Sequence, residues 1–181
     1  MRWDFNVKVV YPLPSVSHPM PSLVKQLQMM GSPFLFSFFS LVTKNYEKDI
    51  EICENLDSNF DAKYEILVDA IFGFSFKGSM REPFKSIVHT IKQSKVKRLI
   101  SVDIPSGWDV EEGNVSGDGL EADVLCSLTA PKECSKFFKG RHWLGGRFVP
   151  KKLAEEFSLN IPQYDSYEQV LLLREESLAK L

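Results

Sequence analysis

Three apolar runs constrain the fold of this chain more than any other feature of its sequence. They read "ILVDAIFG" from Ile66, "LISVDIPSG" from Leu99 and "ADVLCSLTAP" from Ala122. A strand with one face in water alternates apolar and polar residues, whereas runs that are apolar throughout are typical of parallel strands covered by helices on both faces. The runs therefore predict a parallel sheet with two helical layers.

Helical segments alternate with these strands. "REPFKSIVHTIKQSK" places its apolar residues on one stripe, with Pro83 tolerated in the first turn. Upstream, "FNVKVVYP" predicts a strand over Phe5 to Pro12 and "PSLVKQLQMM" predicts a helix. Near the C-terminus, "PKKLAEEF" and "SYEQVLLLREESLAKL" both predict helices, the second with Ser166 and Gln169 as a capping pair. Strands alternating with helices indicate a doubly wound α/β fold, and 181 residues suit a single domain, 1–181.

Composition excludes several classes of protein. A net charge of -2 and a pI near 6.0 leave no basic surface for nucleic acid. The longest apolar run, Phe34 to Val42, is far shorter than the roughly 20 residues of a membrane helix. Three cysteines without a CxxC pair indicate reduced thiols rather than a disulfide framework or a zinc site. No secretory signal peptide is visible at the first residues.

Residues 31–63 fit no regular element. An aromatic run is followed by the acidic "NYEKDIEICENLDSNFD". We expect 36–62 to be an irregular insertion.

Two aspartates stand near the carboxyl ends of predicted strands. Asp69 lies inside the first apolar run, and Asp103 ends the second. Ligands of open parallel sheets bind beyond the carboxyl ends of the strands, so two carboxylates there form a candidate site. Turn or helix capping is the alternative role, and spacing alone favours it.

The turns after these strands suggest ligands. Gly73 and Gly78 flank a loop whose backbone amides and Lys77 suit phosphate oxygens, although an ordinary surface loop is equally consistent with the spacing. In "DIPSG", the Ser106 hydroxyl adds a hard oxygen that suits an alkali or alkaline-earth cation, and such a cation would neutralise Asp69. The alternative is that Ser106 hydrogen-bonds its own turn.

Five blocks of the sequence together resemble the NAD(P)H-hydrate epimerase family, known in animals as apolipoprotein A-I-binding protein. They are "VDAIFGFSFKG", "REPF", "DIPSGWDVEEGN", "SLTAPK" and "GRHWLGGRFVP", and the resemblance runs from Glu65 to Tyr164. It implies a Rossmann-like three-layer sandwich. It also implies an isomerase that interconverts the R and S forms of hydrated NADH or NADPH, a damaged form of the cofactor.

The resemblance assigns roles to residues of this chain. It implies that Asp69 and Ser106 bind a potassium ion. It implies that Asp103 contacts the hydrated nucleotide together with the loop residues Gly73, Phe74, Ser75, Phe76, Lys77, Gly78 and Ser79. Asp103 is the candidate acid and base for the epimerising carbon. Lys77 is the second catalytic candidate, with phosphate binding as its other role.

The chain departs from the family at its start. The family carries an upstream N-N-G-G-D-G loop between its first strand and helix, which this sequence does not contain. We therefore expect the domain to lack that strand and helix, and its activity to be impaired.

Two other functions remain open. The chain is alternatively a non-catalytic protein-binding member of the family, with an apolipoprotein partner and the aromatic run Phe34 to Phe39 as its contact surface. Of the three functions, a nucleotide-dependent dehydrogenase is the least consistent with the sequence, because no GxGxxG motif follows a predicted strand. The expected partners are a small-molecule substrate and a second copy in a homodimer, with no nucleic acid and no membrane. The expected location is cytoplasmic or mitochondrial, with a secreted form also allowed by the family.

Overall fold

A computed structural model describes residues 6–30, 39–43, 51–146, 148–165 and 167–173. Its strands form one sheet in the order β3-β1-β2-β4-β5-β6-β7-β8. In chain order the strands are β1 Asn6–Val10, β2 Phe39–Thr43, β3 Glu51–Cys53, β4 Ile66–Asp69, β5 Arg98–Val102, β6 Val124–Leu128, β7 Arg141–Gly145 and β8 Val170–Leu173. The helices are α1 Met20–Met30, α2 Phe60–Lys63, α3 Phe84–Gln93 and α4 Lys151–Glu156, with a 3-10 turn at Glu133–Phe137.

The sheet is mostly parallel, as predicted. β4, β5, β6 and β7 are successive parallel neighbours, and β1 pairs in parallel with β3. β2 runs antiparallel to both β1 and β4, and β8 runs antiparallel to β7. The α/β fold with a mostly parallel sheet is therefore confirmed.

Helices cover both faces of the sheet. On β1, Val7 and Val9 pack with Val24 of α1, whereas Val10 points to the opposite face. There Val10 joins a core that contains Val88 of α3. Alternate residues of one strand point to opposite faces, so these contacts place α1 and α3 in separate layers.

The predicted helix at the C-terminus is wrong where the structure describes it. Val170–Leu173 form β8, an edge strand paired with His142 to Gly145 of β7, and Leu173 is buried. Leucines and glutamates favour a helix locally, but the four-residue apolar run gains a strand partner and a buried face in the sheet. Ser166 of the predicted capping pair and residues 174–181 lie outside the described residues.

The described parts of the interval 36–62 include two strands and the start of a helix. β2 lies inside the sheet between β1 and β4, β3 lies at its edge, and α2 packs Phe60 into the core. That this interval is an insertion stays a prediction. Residues 34–38 of the aromatic run lie outside the described residues.

The parallel register brings the carboxyl ends of β4, β5 and β6 to one edge. Asp69 is aligned with Ser101, and Val102 is aligned with Cys126. The residues that follow these strands therefore emerge side by side. Among the described residues, none of the helices has the length and apolar character required to cross a membrane.

Candidate active site

Asp69 is a fully buried carboxylate held by four hydrogen bonds. Its Oδ1 accepts the Ser106 hydroxyl at 2.5 Å and the Ile71 N–H at 3.3 Å. Its Oδ2 accepts the Ser101 hydroxyl at 2.8 Å and the Ser106 N–H at 2.9 Å. Burial nevertheless raises the pKa of Asp69, because these neutral donors offset the lost hydration only in part.

The hydroxyl of Ser106 links two of the predicted site loops. While it donates to Asp69, it accepts the N–H of Phe72 at 3.2 Å. The turn after β5 is therefore tied to the turn after β4. Gly107 permits this turn, since its φ is +90° and an added Cβ would lie 2.8 Å from the Cα of Gly119.

Asp103 occupies the next strand end in a different environment. Its backbone has φ +70°, a left-handed conformation that aspartate tolerates better than most residues, and its N–H donates to Cys126 O at 2.8 Å. Its Oδ2 accepts the Phe74 N–H at 3.3 Å, and its Oδ1 lies 2.6 Å from the Lys132 ammonium. Only 9% of Asp103 is exposed. The carboxylate is thus held between the loop after β4 and the loop after β6.

Lys132 was missed as a site residue by the sequence reasoning. Besides Asp103, its ammonium donates to Leu128 O at 3.0 Å and to Ala130 O at 3.1 Å. The signal was available, because Lys132 ends "SLTAPK" just after the third predicted strand, next to the strand that Asp103 ends.

The predicted nucleotide loop lies beside Asp103. Phe72 and Phe76 stack with their ring centroids 4.4 Å apart, and the Phe76 N–H donates to Gly73 O at 3.0 Å. Gly78 takes φ +81°, which the glycine permits. The loop borders a cavity of about 540 Å³ that is also lined by Arg81. Ser75 and Ser79 are exposed on the same loop.

Lys77 is exposed and does not take part in the Asp103 contact. Its charge lowers the pKa of Asp109, although hydrogen bonds from the Glu112 and Glu111 N–H groups contribute more. Within the described ranges its Nζ makes neither a hydrogen bond nor an ion pair. The structure therefore brings Asp69, Asp103 and Ser106 together and leaves Lys77 on the rim. The catalytic role of Lys77 stays a prediction.

A second cavity, of about 340 Å³, opens at the carboxyl ends of β6 and β7, and Lys132 is among its lining residues. Across the part of the chain that is described, no three His, Cys, Asp or Glu side chains are grouped so as to hold a metal ion.

Comparison with known proteins identifies the family. The sequence profile of the YjeF-related protein N-terminus family matches residues 3–134. The chain belongs to this family. The NAD(P)H-hydrate epimerase of Schizosaccharomyces pombe is 39% identical over 98% of this chain and 69% of its own length. The crystal structure of the yeast protein YNL200c is similar with a TM-score of 0.75 and 34% identity, covering 92% of this chain and 65% of the yeast chain. The family resemblance and the fold that it implied are confirmed.

Proposed function

We propose that this site interconverts the R and S epimers of hydrated NADH and NADPH. The observation that carries the proposal is the pair formed by Asp103 and Lys132, 2.6 Å apart at the sheet edge, in a chain 39% identical to a fission yeast epimerase. Lys132 of this pair lines a cavity of about 340 Å³, which is within the range of small-molecule sites, about 300–1,000 Å³.

The reaction requires the site to donate one proton to the substrate and to accept one proton back. The reacting carbon of the hydrated ring bears a hydroxyl group and adjoins the ring nitrogen. Protonation of that hydroxyl lets the nitrogen lone pair expel it as water, breaking the C–O bond and leaving a cationic ring. A water molecule then adds to the opposite face, and the proton that it loses returns to the site. No redox change occurs, and atoms balance.

Asp103 is the residue that we assign to this proton transfer, with Lys132 as the group that supplies and recovers the proton. Asp103 touches both loops that border the two cavities, through the Phe74 N–H and through Lys132. Its exposed fraction allows contact with a ligand, whereas Asp69 is fully enclosed. Asp69 therefore supports the site and does not donate protons to the substrate.

The phosphates belong on the loop of residues 73–79. Lys77 and Arg81 border its cavity and supply positive charge, and Gly73 and Gly78 let phosphate oxygens approach the backbone. Two stacked rings, Phe72 and Phe76, give the cavity an apolar wall.

Asp69 and Ser106 would hold a potassium ion. Both side chains offer hard oxygens of the type that alkali cations prefer, and an ion there would replace the hydrogen bond that the Ser106 hydroxyl donates to Asp69. Burial still raises the pKa of Asp69 despite four donors, so the carboxylate lacks a compensating charge. When bound, the ion supplies that charge and stabilises the two turns.

The test is epimerisation of purified R-form hydrated NADH, followed by chromatography. We expect the wild-type chain to exceed the spontaneous rate and Asp103→Asn to fall to that rate. Asp118→Asn is a matched control, since Asp118 is an exposed aspartate on another loop. A normal rate for Asp103→Asn would exclude Asp103 from proton transfer, and a wild-type rate equal to the spontaneous one would overturn the proposal.

The homodimer, the apolipoprotein partner and the compartment stay predictions from the family resemblance. Residues 34–38 of the predicted contact surface lie outside the described residues.

A further inference from the structure

The cavity beyond β6 and β7 lies on the opposite side of Asp103 from the nucleotide loop. The sheet order is β4-β5-β6-β7, the nucleotide loop follows β4, and Asp103 follows β5. The cavity is lined by residues that follow β6 and by Leu144 near the end of β7. A molecule whose phosphates lie on the nucleotide loop and whose reacting atom lies at Asp103 would continue into this cavity.

Its walls are predominantly apolar. They include Leu144, Val149, Leu159, Ile161 and Pro162. The volume of about 340 Å³ is at the lower end of the range of small-molecule sites, which is about 300–1,000 Å³.

The charged groups that line it are already paired. The Lys132 ammonium contacts Asp103 at 2.6 Å, and Lys136 lies 3.4 Å from a carboxylate oxygen of Glu133. Within the described part of the lining, the cavity therefore offers no surplus positive charge for a phosphate. The nucleotide-loop cavity, bordered by Lys77 and Arg81, has the opposite character. The two cavities therefore suit different parts of one ligand, the nucleotide-loop cavity its phosphates and this cavity an uncharged group.

Two uncharged polar residues also line the cavity, next to a tightly packed stretch of backbone. Thr129 and Asn160 are the residues concerned. Thr129 has φ +69°, and its N–H donates to Gly145 O at 2.8 Å. A Cβ at Gly146 would lie 2.8 Å from the Thr129 nitrogen, so this position has no room for a side chain.

We propose that this cavity binds the uncharged hydrated pyridine ring with its carboxamide, and we call it the ring pocket. Its apolar walls contact the ring, the Thr129 and Asn160 groups face the carboxamide, and Lys132 forms the wall shared with Asp103. This inference rests on the proposed function. It adds that substrate selection depends on the pyridine end and is separable from phosphate binding.

Ile161→Trp is the test variant, because a larger side chain fills the pocket. Leu153→Trp is the matched control, since Leu153 lies on α4, is 43% exposed and does not line the pocket. We expect Ile161→Trp to raise the KM for hydrated NADH at least about tenfold, the scale of one misplaced methylene in an apolar pocket. ADP-ribose, which carries the phosphates without the ring, should inhibit with a Ki unchanged within twofold.

Two results would overturn the ring pocket. One is an unchanged KM in Ile161→Trp, and the other is an equal rise in the KM and in the Ki of ADP-ribose. Circular dichroism and thermal unfolding verify that the variant is folded, and Val149→Trp provides a second filling of the same pocket.

Calorimetry separates failure of the ring pocket from failure of the epimerase proposal. Binding of hydrated, reduced nicotinamide mononucleotide is measured without turnover. A wild-type chain that binds the mononucleotide but does not epimerise hydrated NADH overturns the proposed function, whereas loss of that binding in Ile161→Trp still supports the ring pocket. Absence of binding to the wild-type chain overturns the pocket.

Discussion

Replacing Lys132 by methionine removes an ammonium that serves three acceptors. Asp103 Oδ1 loses a 2.6 Å ion pair, and the carbonyls of Leu128 and Ala130 lose donors at 3.0 and 3.1 Å. Methionine fills a similar volume, so the apolar contacts of the stem are largely kept. Asp103 retains one protein donor to its carboxylate, the Phe74 N–H at 3.3 Å.

The expected loss in the free energy of unfolding lies between the values typical of buried and of exposed ion pairs. Removing one partner of a fully buried pair costs about 3–5 kcal/mol, whereas exposed pairs contribute about 0–1 kcal/mol. The side chains of Lys132 and Asp103 are 20% and 12% exposed, and both lost carbonyl acceptors belong to exposed residues that water can reach. We therefore expect the free energy of unfolding to fall by about 2 kcal/mol, which lowers the Tm of a chain of this size by about 4–8 °C.

Urea unfolding followed by tryptophan fluorescence measures this change. Lys97→Met is the matched control, because the Lys97–Glu65 pair has a similar distance of 2.8 Å but side chains that are 75% and 47% exposed. The control should lose less than about 1 kcal/mol. Combining Lys132→Met with Asp103→Asn closes a double-mutant cycle whose coupling should exceed about 1 kcal/mol. Equal losses for the two lysine variants, or no coupling, would refute the reasoning.

Two further predictions concern protons and ions. Burial lowers the pKa of His142 to about 4, so the unfolded chain takes up a proton first as the pH falls. The free energy of unfolding is therefore highest above the pKa of His142 in the unfolded chain, about 6.5, and it falls by about 2–3 kcal/mol by pH 4.5. Urea midpoints should show this loss in the wild type and not in His142→Gln; identical pH profiles would contradict it. Replacing choline chloride by about 100 mM KCl at constant ionic strength should stabilise the chain by about 1.4 kcal/mol if the site binds with a Kd near ~10 mM. The gain should disappear in Asp69→Asn, and an equal gain in that variant would exclude the site.

The parallel centre of the sheet was predictable because its signal is local. The runs that contain Asp69 and Asp103 are apolar on both sides, and the stripe of α3 buries Val88 and Ile91 as its spacing predicts. β8 was not predictable in this way, because its four residues become a strand only through pairing with β7. β2 raises the same difficulty, since its place between β1 and β4 depends on partners distant in sequence.

The candidate site was predictable as far as strand ends determine it. Register aligns β4 with β5, which brings the two predicted aspartates to one edge. Lys132 lies 29 residues beyond Asp103, so sequence distance does not reveal their contact, and only its position after the neighbouring predicted strand indicates it. Lys77 was predicted as a catalytic residue because it lies in the loop after β4. The sequence does not distinguish an exposed lysine such as Lys77 from Lys132, whose ammonium is held by two backbone carbonyls.

The two aspartates are stabilised by different means, and the difference argues for different roles. Among the described residues, every donor to Asp69 is a neutral group, either a backbone N–H or the hydroxyl of a serine at the same sheet edge. Asp103 contacts the charged ammonium of Lys132 and is 9% exposed. A group that transfers protons must lie within hydrogen-bond reach of the substrate, which favours Asp103 for that role and leaves Asp69 a supporting one. Exchanging the two environments should therefore abolish turnover even with both carboxylates present, because an enclosed carboxylate cannot reach the substrate.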